Sequence, residues 1–170
     1  MDTEQQIRLN FLDEAEEYFN LMESNLLGLA DTAINAQKVD LVLRAAHSIK
    51  GGAAMMSFNT LSQVAHRLED FFKILRVRYA GETVSVEVET LLLQSVDYLR
   101  NLASLNRQEL STADPLANNQ QPEILSDRIQ AIFEQLRSHL GDLEVGDENA
   151  LLSQNEDFDS AHVYASLSHA

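Results

Sequence analysis

His47 and Lys50 lie three residues apart in the stretch RAAHSIKGGAAMMSF, which spans residues 44–58. A neutral imidazole is a nucleophile near neutral pH, and an ammonium group can attract an anion or steady one attached to the ring. The stretch has the apolar spacing of a helix, yet it carries Gly51 and Gly52 in its middle. Each glycine costs a helix interior about 1 kcal/mol relative to alanine, so this pair needs a reason.

A helical projection predicts which way His47 points. At about 100° per residue, one side of the helix is continuously apolar and His47 lies opposite it; that side holds Val42, Ala45, Ile49, Ala53 and Met56. Arg44, Gly51 and Ala54 lie around the ring. We therefore expect an exposed imidazole that stands above its neighbours Gly51 and Ala54, which have almost no side chain, and that can enter another protein's active site. Together, Arg44, Gly51 and Ala54 form the predicted docking surface. The alternative is a glycine packing notch beside an ordinary surface histidine.

Glu69 and His66 lie on one polar stripe of the next predicted helix. If the two helices pack side by side, Glu69 can accept a hydrogen bond from the ring N–H of His47. That bond would fix the tautomer and make the other ring nitrogen a better nucleophile. The alternative is a solvated face with an ordinary Glu69–Lys73 pair at i,i+4, worth a few tenths of a kcal/mol.

A metal-binding bundle is the rival from another class of function. Two imidazoles and a carboxylate can hold zinc or iron, and His47, His66 and Glu69 would supply them. The Glu-x-x-His pairs typical of metal sites in helical bundles are missing from the sequence, so we expect no metal site.

The remaining apolar spacing predicts an all-α protein. Apolar residues recur at intervals of three and four in five segments, the second from about Val39 to Ser57 and the third from about Thr60 to Tyr79. Short connections favour antiparallel neighbours, hence an up-down four-helix bundle with a fifth helix. The predicted boundaries are a bundle over 1–105, a linker over 106–122, an accessory helix over 123–140, and a flexible acidic tail or start of an interdomain linker over 141–170.

Composition narrows the partners. The 170 residues contain 12 Lys and Arg against 27 Asp and Glu, a net charge of −15, which disfavours nucleic acid and anionic membrane surfaces. Cysteine is absent, which excludes disulfides and thiolate metal sites. The polar start and the lack of a long apolar run predict a soluble, cytoplasmic protein.

The run RAAHSIKGGAAMMSF followed by HRLEDFF resembles the histidine phosphotransfer (HPt) domain, and more narrowly the amino-terminal HPt domain of CheA-type chemotaxis kinases. The resemblance covers about residues 4–105 and the fifth helix. It implies that His47 is the phosphoryl acceptor, with Lys50 as the family's lysine beside the phosphoryl group. It also implies that Glu69 hydrogen-bonds the active histidine and that His66 supports it from nearby. The stretch AAMMSF departs from the small, glycine-rich sequence usual in the chemotaxis branch.

The resemblance further implies a phosphorelay module. We expect it to accept a phosphoryl group from a histidine kinase or a receiver, and to pass it to an aspartate of a response-regulator receiver domain. No ATP-binding sequence is present, so Mg²⁺ and ATP are expected on partner domains, with the kinase catalytic domain in cis or in trans. The domain alone should not turn over a substrate, although it could be the amino-terminal part of a kinase. A docking bundle that has lost phosphotransfer stays open as an alternative.

Overall fold

The computed structural model describes residues 2–111 and 121–151, and within residues 121–126 the backbone alone. Its five long helices are α1 (Thr3–Leu26), α2 (Ala36–Met55), α3 (Asn59–Arg78), α4 (Val86–Ser111) and α5 (Gln121–Leu140). A short helix, α6, covers residues 145–151. The predicted all-α class is confirmed: in the described ranges, the β-type pairing is one isolated bridge between Ile34 and Ala80.

The first four helices form the predicted antiparallel bundle. α1 packs against α2 and α4, and α3 packs against the same two helices, so the four close into a ring. Contacts between the helices give their directions, because Asp13 of α1 pairs with Arg107 of α4 and Asp40 of α2 pairs with Arg76 of α3. The axis is filled by large apolar side chains that are almost fully buried: Leu12, Phe19, Met22, Leu26, Ile49, Leu61, Leu68, Phe72, Leu75, Leu92 and Leu99.

α5 lies in the groove between α3 and α4. The Phe133 ring packs 5.6 Å from the Phe71 ring, measured between centroids, and Arg67 covers Phe133 at 5.7 Å. Because α5 covers the side of the bundle formed by α3 and α4, it leaves the outer surface of α2 open.

The connections at one end of the bundle are joined by backbone hydrogen bonds. Ile34 N–H donates to Glu82 O at 2.8 Å, and Gly81 N–H donates to Ile34 O at 2.9 Å. Gly81 has a φ of +83°, a left-handed conformation that favours glycine, so it ends α3 as its position in the sequence predicts. Asn35 caps α2 there by accepting from the backbone N–H of Gln37 and Lys38. This end therefore fixes the starts of α2 and α4 together.

Two predicted boundaries do not match the helices. α4 continues to Ser111, six residues into the predicted 106–122 linker, because Gln5 donates to the Leu110 carbonyl at 2.8 Å and Arg107 pairs with Asp13 at 2.7 Å. α5 begins at Gln121, two residues before the predicted start. The rest of the predicted linker, residues 112–120, lies outside the described residues.

The start of the predicted flexible tail is ordered against the bundle. Arg78 at the end of α3 binds the Asp147 carboxylate and donates to the Asp142 carbonyl at 2.8 Å, while Leu151 is buried. These contacts hold α6 in place, so residues 141–151 are ordered where the sequence predicts a flexible acidic tail or the start of an interdomain linker. Residues 152–170 lie outside the described residues. No helix in the described ranges is long and apolar enough to span a membrane.

Candidate functional site

His47 projects into solvent from the middle of α2, and 70% of its side chain is exposed. The opposite face of the helix is buried through Ala45, Ile49 and Ala53, as the projection predicts. Around the ring, Arg44, Gly51 and Ala54 are exposed. The imidazole is therefore open to a partner, and the three residues predicted to surround it share its face.

The two adjacent glycines face different surroundings. A Cβ built on Gly51 meets nothing within 4 Å, so this position keeps the surface beside His47 low. A Cβ on Gly52 would lie 2.3 Å from the Phe11 ring of α1, a distance that no side chain can occupy. Gly52 thus lets α1 pack closely against α2. Both predicted reasons for glycine therefore apply: Gly52 provides the packing notch and Gly51 the bare surface.

Glu69 reaches the site from α3, and its side chain is only 5% exposed. Its Oε1 lies 3.5 Å from His47 Nδ1, and its Oε2 lies 3.1 Å from Lys50 Nζ. Oε2 is buried and accepts no well-aligned hydrogen bond from the described residues, so the ion pair with Lys50 compensates for its burial. A hydrogen bond from the Ser62 hydroxyl to the Lys50 carbonyl, at 2.9 Å, ties α3 to α2 beside this cluster.

Lys73 is a second cation on the same carboxylate, and the sequence predicts this pair only as the alternative in which Glu69 lies on a solvated face. Its Nζ lies 3.4 Å from Glu69 Oε1, the oxygen that faces His47, and 4.0 Å from Asp70 Oδ1. The i,i+4 spacing from Glu69 was the available signal, but that spacing equally suits a pair on an open surface. The Lys73 side chain is 25% exposed, so the pair lies partly under the surface.

The neighbouring lysines lower the pKa of Glu69 and so keep it ionised. Burial acts to raise the pKa of Glu69, but the Lys50 ammonium 3.1 Å away, with the charges of Lys73 and His47, outweighs it and leaves the pKa below its ordinary value. Glu69 is therefore ionised at neutral pH, although it is one of two buried polar residues in the described ranges. A buried carboxylate facing Nδ1 favours the tautomer that carries the proton there and leaves Nε2 free to attack.

Two predicted roles are placed differently from the expectation. The Lys50 ammonium is directed to Glu69 rather than outward beside the exposed ring. His66 is exposed, and the acid it acts on is Asp70. Burial raises the pKa of Asp70, and the charge of His66 opposes that rise. Within the described residues, no hydrogen bond or ion pair joins His66 to His47.

The metal alternative has no ligand set in the part of the chain that the structure describes. No three His, Cys, Asp or Glu side chains there are grouped so that they could hold an ion. The cations around Glu69 occupy the carboxylate oxygens that such an ion would need.

Comparison with known proteins agrees with this geometry. A model of the Hpt domain family matches residues 6–144. The chemotaxis protein CheA of Treponema pallidum is 37% identical over 91 residues, which cover 54% of this chain and 11% of that protein. CheA of Klebsiella aerogenes is 37% identical over 90 residues, covering 53% of this chain and 14% of that protein. The sensor histidine kinase CheAY of Helicobacter pylori is 27% identical over 135 residues, covering 79% and 16%. The chain thus spans a small part of the length of these relatives.

Proposed function

Because this chain belongs to the Hpt domain family, we propose that it is a phosphorelay module in which His47 accepts a phosphoryl group and passes it to an aspartate of a receiver domain. One observation carries the proposal: an exposed imidazole has its Nδ1 3.5 Å from a buried, ionised carboxylate. That arrangement orients a nucleophile and leaves its reacting nitrogen accessible.

In the first step, the lone pair on Nε2 of neutral His47 attacks the phosphorus of the donor. The N–P bond forms as the bond from phosphorus to the leaving group breaks, which releases ADP when the donor is ATP. The ring becomes cationic while Nδ1 keeps its proton, and Glu69 stabilises that developing charge. Bringing an exposed, oriented nucleophile to a bound donor supplies most of what such a transfer needs.

In the second step, a carboxylate oxygen of the receiver aspartate attacks the same phosphorus. The P–N bond breaks and its electron pair returns to Nε2, which restores the neutral imidazole. Lys50 lies one helical turn from His47, so its ammonium can turn from Glu69 toward the phosphoryl oxygens once they are present.

The partners follow from the same chemistry. We infer that a histidine kinase catalytic domain, in cis or in trans, brings ATP and Mg²⁺, and that the receiver brings the acceptor carboxylate and its own Mg²⁺. Arg44, Gly51 and Ala54 surround the ring, and we assign them to the surface that both partners cover. We place the domain in the cytoplasm, where ATP is available to such a kinase.

Labelling with phosphoramidate tests the proposal without a kinase, because its P–N bond supplies the phosphoryl group and ammonia leaves. We expect acid-labile label on the wild-type chain, and loss of that label in His47→Gln. His139→Gln is the matched control, since His139 lies on α5 and pairs with Glu87. Mass spectrometry of peptides locates the group, and a receiver domain with Mg²⁺ should then remove it. Label that stays at the wild-type level in a folded His47→Gln variant would reject the assignment, because exposed histidines such as His66 can take up only background label; an unlabelled, folded wild-type chain would favour the docking alternative.

A further inference from the structure

Glu69 Oε1 is shared between two nitrogen atoms. His47 Nδ1 lies 3.5 Å from it and Lys73 Nζ lies 3.4 Å from it. The imidazole distance is at the outer limit for a hydrogen bond, so the carboxylate does not hold the ring tightly in this arrangement.

Lys73 is not needed to neutralise Glu69. Lys50 already pairs with the other oxygen at 3.1 Å, and one ammonium balances one carboxylate. Of the two lysines, Lys73 acts on the oxygen that faces the imidazole. A second positive charge there weakens the carboxylate as an acceptor for the ring N–H and occupies part of its surface.

Neighbouring charges do not cancel this effect. Asp70 is the other acid that pairs with Lys73, but its oxygen is 4.0 Å from Nζ, against 3.4 Å for Glu69 Oε1. His66 acts on Asp70, and Lys50 faces Oε2 from α2. The charge of Lys73 is therefore directed mainly at the contact between Glu69 and His47.

We propose that Lys73 is a positioning residue that acts on His47 through Glu69: by pairing with Oε1 it withholds that oxygen from Nδ1 and moderates how strongly the carboxylate orients the imidazole. The functional meaning rests on the proposed phosphotransfer role of His47. The structural claim is independent of it, because it concerns the proton on the unmodified ring.

The ring tautomer measures this directly. Nitrogen NMR of the imidazole at about pH 9, where histidine is neutral and lysine is still charged, gives the ratio of the Nδ1–H to the Nε2–H form. We expect Lys73→Met to raise this ratio about two- to fivefold, the factor that corresponds to a partly exposed ion pair. Lys73→Arg, which keeps the charge, should stay near the wild-type ratio.

Lys38→Met is the matched control, because it removes the same charge from α2 at a position nine residues, or about 13 Å, from His47 along the helix. It should leave the ratio unchanged. If Lys73→Met does not fold, Lys73→Gln provides the same comparison with a polar end retained. Amide spectra establish that the variants keep the bundle.

A second pair of variants tests the route through Glu69. In a Glu69→Gln background, adding Lys73→Met should change the ratio by less than about twofold. The proposal is overturned if Lys73→Met leaves the ratio unchanged or lowers it in the wild-type background, or if the full increase persists without the carboxylate. No kinase or donor is involved, so a failure here is distinct from the failure of phosphoramidate labelling at His47.

Discussion

The α2–α3 interface and the α1–α4 interface each contain one charged side chain that contacts several of opposite sign, but they differ in burial. Glu69 is 5% exposed and contacts Lys50, Lys73 and His47. Arg100 is 22% exposed and contacts three acids whose side chains are 42–67% exposed, Glu16, Glu23 and Asp97. Water screens the second cluster more strongly than the first, because the central carboxylate of the first is buried. A similar count of ion pairs therefore lowers the pKa of the buried carboxylate beside His47 in one place, and adds a modest link between helices in the other.

The largest effect that tests this comparison is on phosphoryl acceptance. Glu69→Gln removes the charge that we propose orients His47, and we expect the labelling rate with phosphoramidate to fall about 10- to 100-fold, the loss typical when the carboxylate that orients a metal-ligating histidine is removed. Arg100→Met should change the rate by less than about twofold. Equal losses in the two folded variants would mean that burial does not separate the clusters.

The next largest effect is on the free energy of unfolding, through the packing of α1 against α2. The two substitutions that test it change neither charged cluster. Gly52→Ala places a methyl group 2.3 Å from the Phe11 ring, so we expect it to lower the free energy of unfolding by about 1–3 kcal/mol. Gly51→Ala, with open space at the same atom, should raise it by up to about 1 kcal/mol through helix propensity. Urea unfolding of both variants measures the difference, and a stable Gly52→Ala protein would show that α1 does not press on α2 there.

The smallest effect is on the pH dependence of stability. The pKa of Glu69 is lowered in the folded protein, so its ionisation stabilises the fold above the unfolded pKa of about 4.5, and this contribution is lost as the pH falls through the lower folded pKa. We expect the wild-type chain to be more stable than Glu69→Gln at pH 7, and the difference to shrink below about pH 4.5. Unfolding curves for both proteins across this range measure it. A constant difference would mean that the Glu69 charge is not stabilised by folding.

Much of the site could be predicted from the sequence, because its main features are local to one helix. The spacing of Ala45, Ile49 and Ala53 places His47 in solvent, and a bare Gly51 beside it follows from the same projection. The five long helices follow from apolar spacing in the same way. The approach of Glu69 to His47 needed the further assumption that α2 and α3 lie side by side.

The missed features depend on contacts between distant parts of the chain. Polar residues after position 105 give no apolar spacing, yet Gln5 and Asp13 of α1 stabilise them as helix. Arg78 and Asp147 are 69 residues apart, and the sequence around neither residue predicts that they pair. The i,i+4 spacing predicts that Lys73 can pair with Glu69. That Lys73 contacts the same oxygen that faces His47 follows only from the packing of α2 against α3.

The bare surface around His47 also affects the thermodynamics of association. Covering a long side chain at an interface costs about 0.5–1.5 kcal/mol in lost rotamer freedom, whereas Gly51 and Ala54 have no rotamers to lose. The close contact of Phe11 behind Gly52 adds a firm support, so the helix need not shift when a partner arrives. Under the proposed function, a receiver would therefore bind and leave with little reorganisation on this side, as a phosphoryl carrier requires.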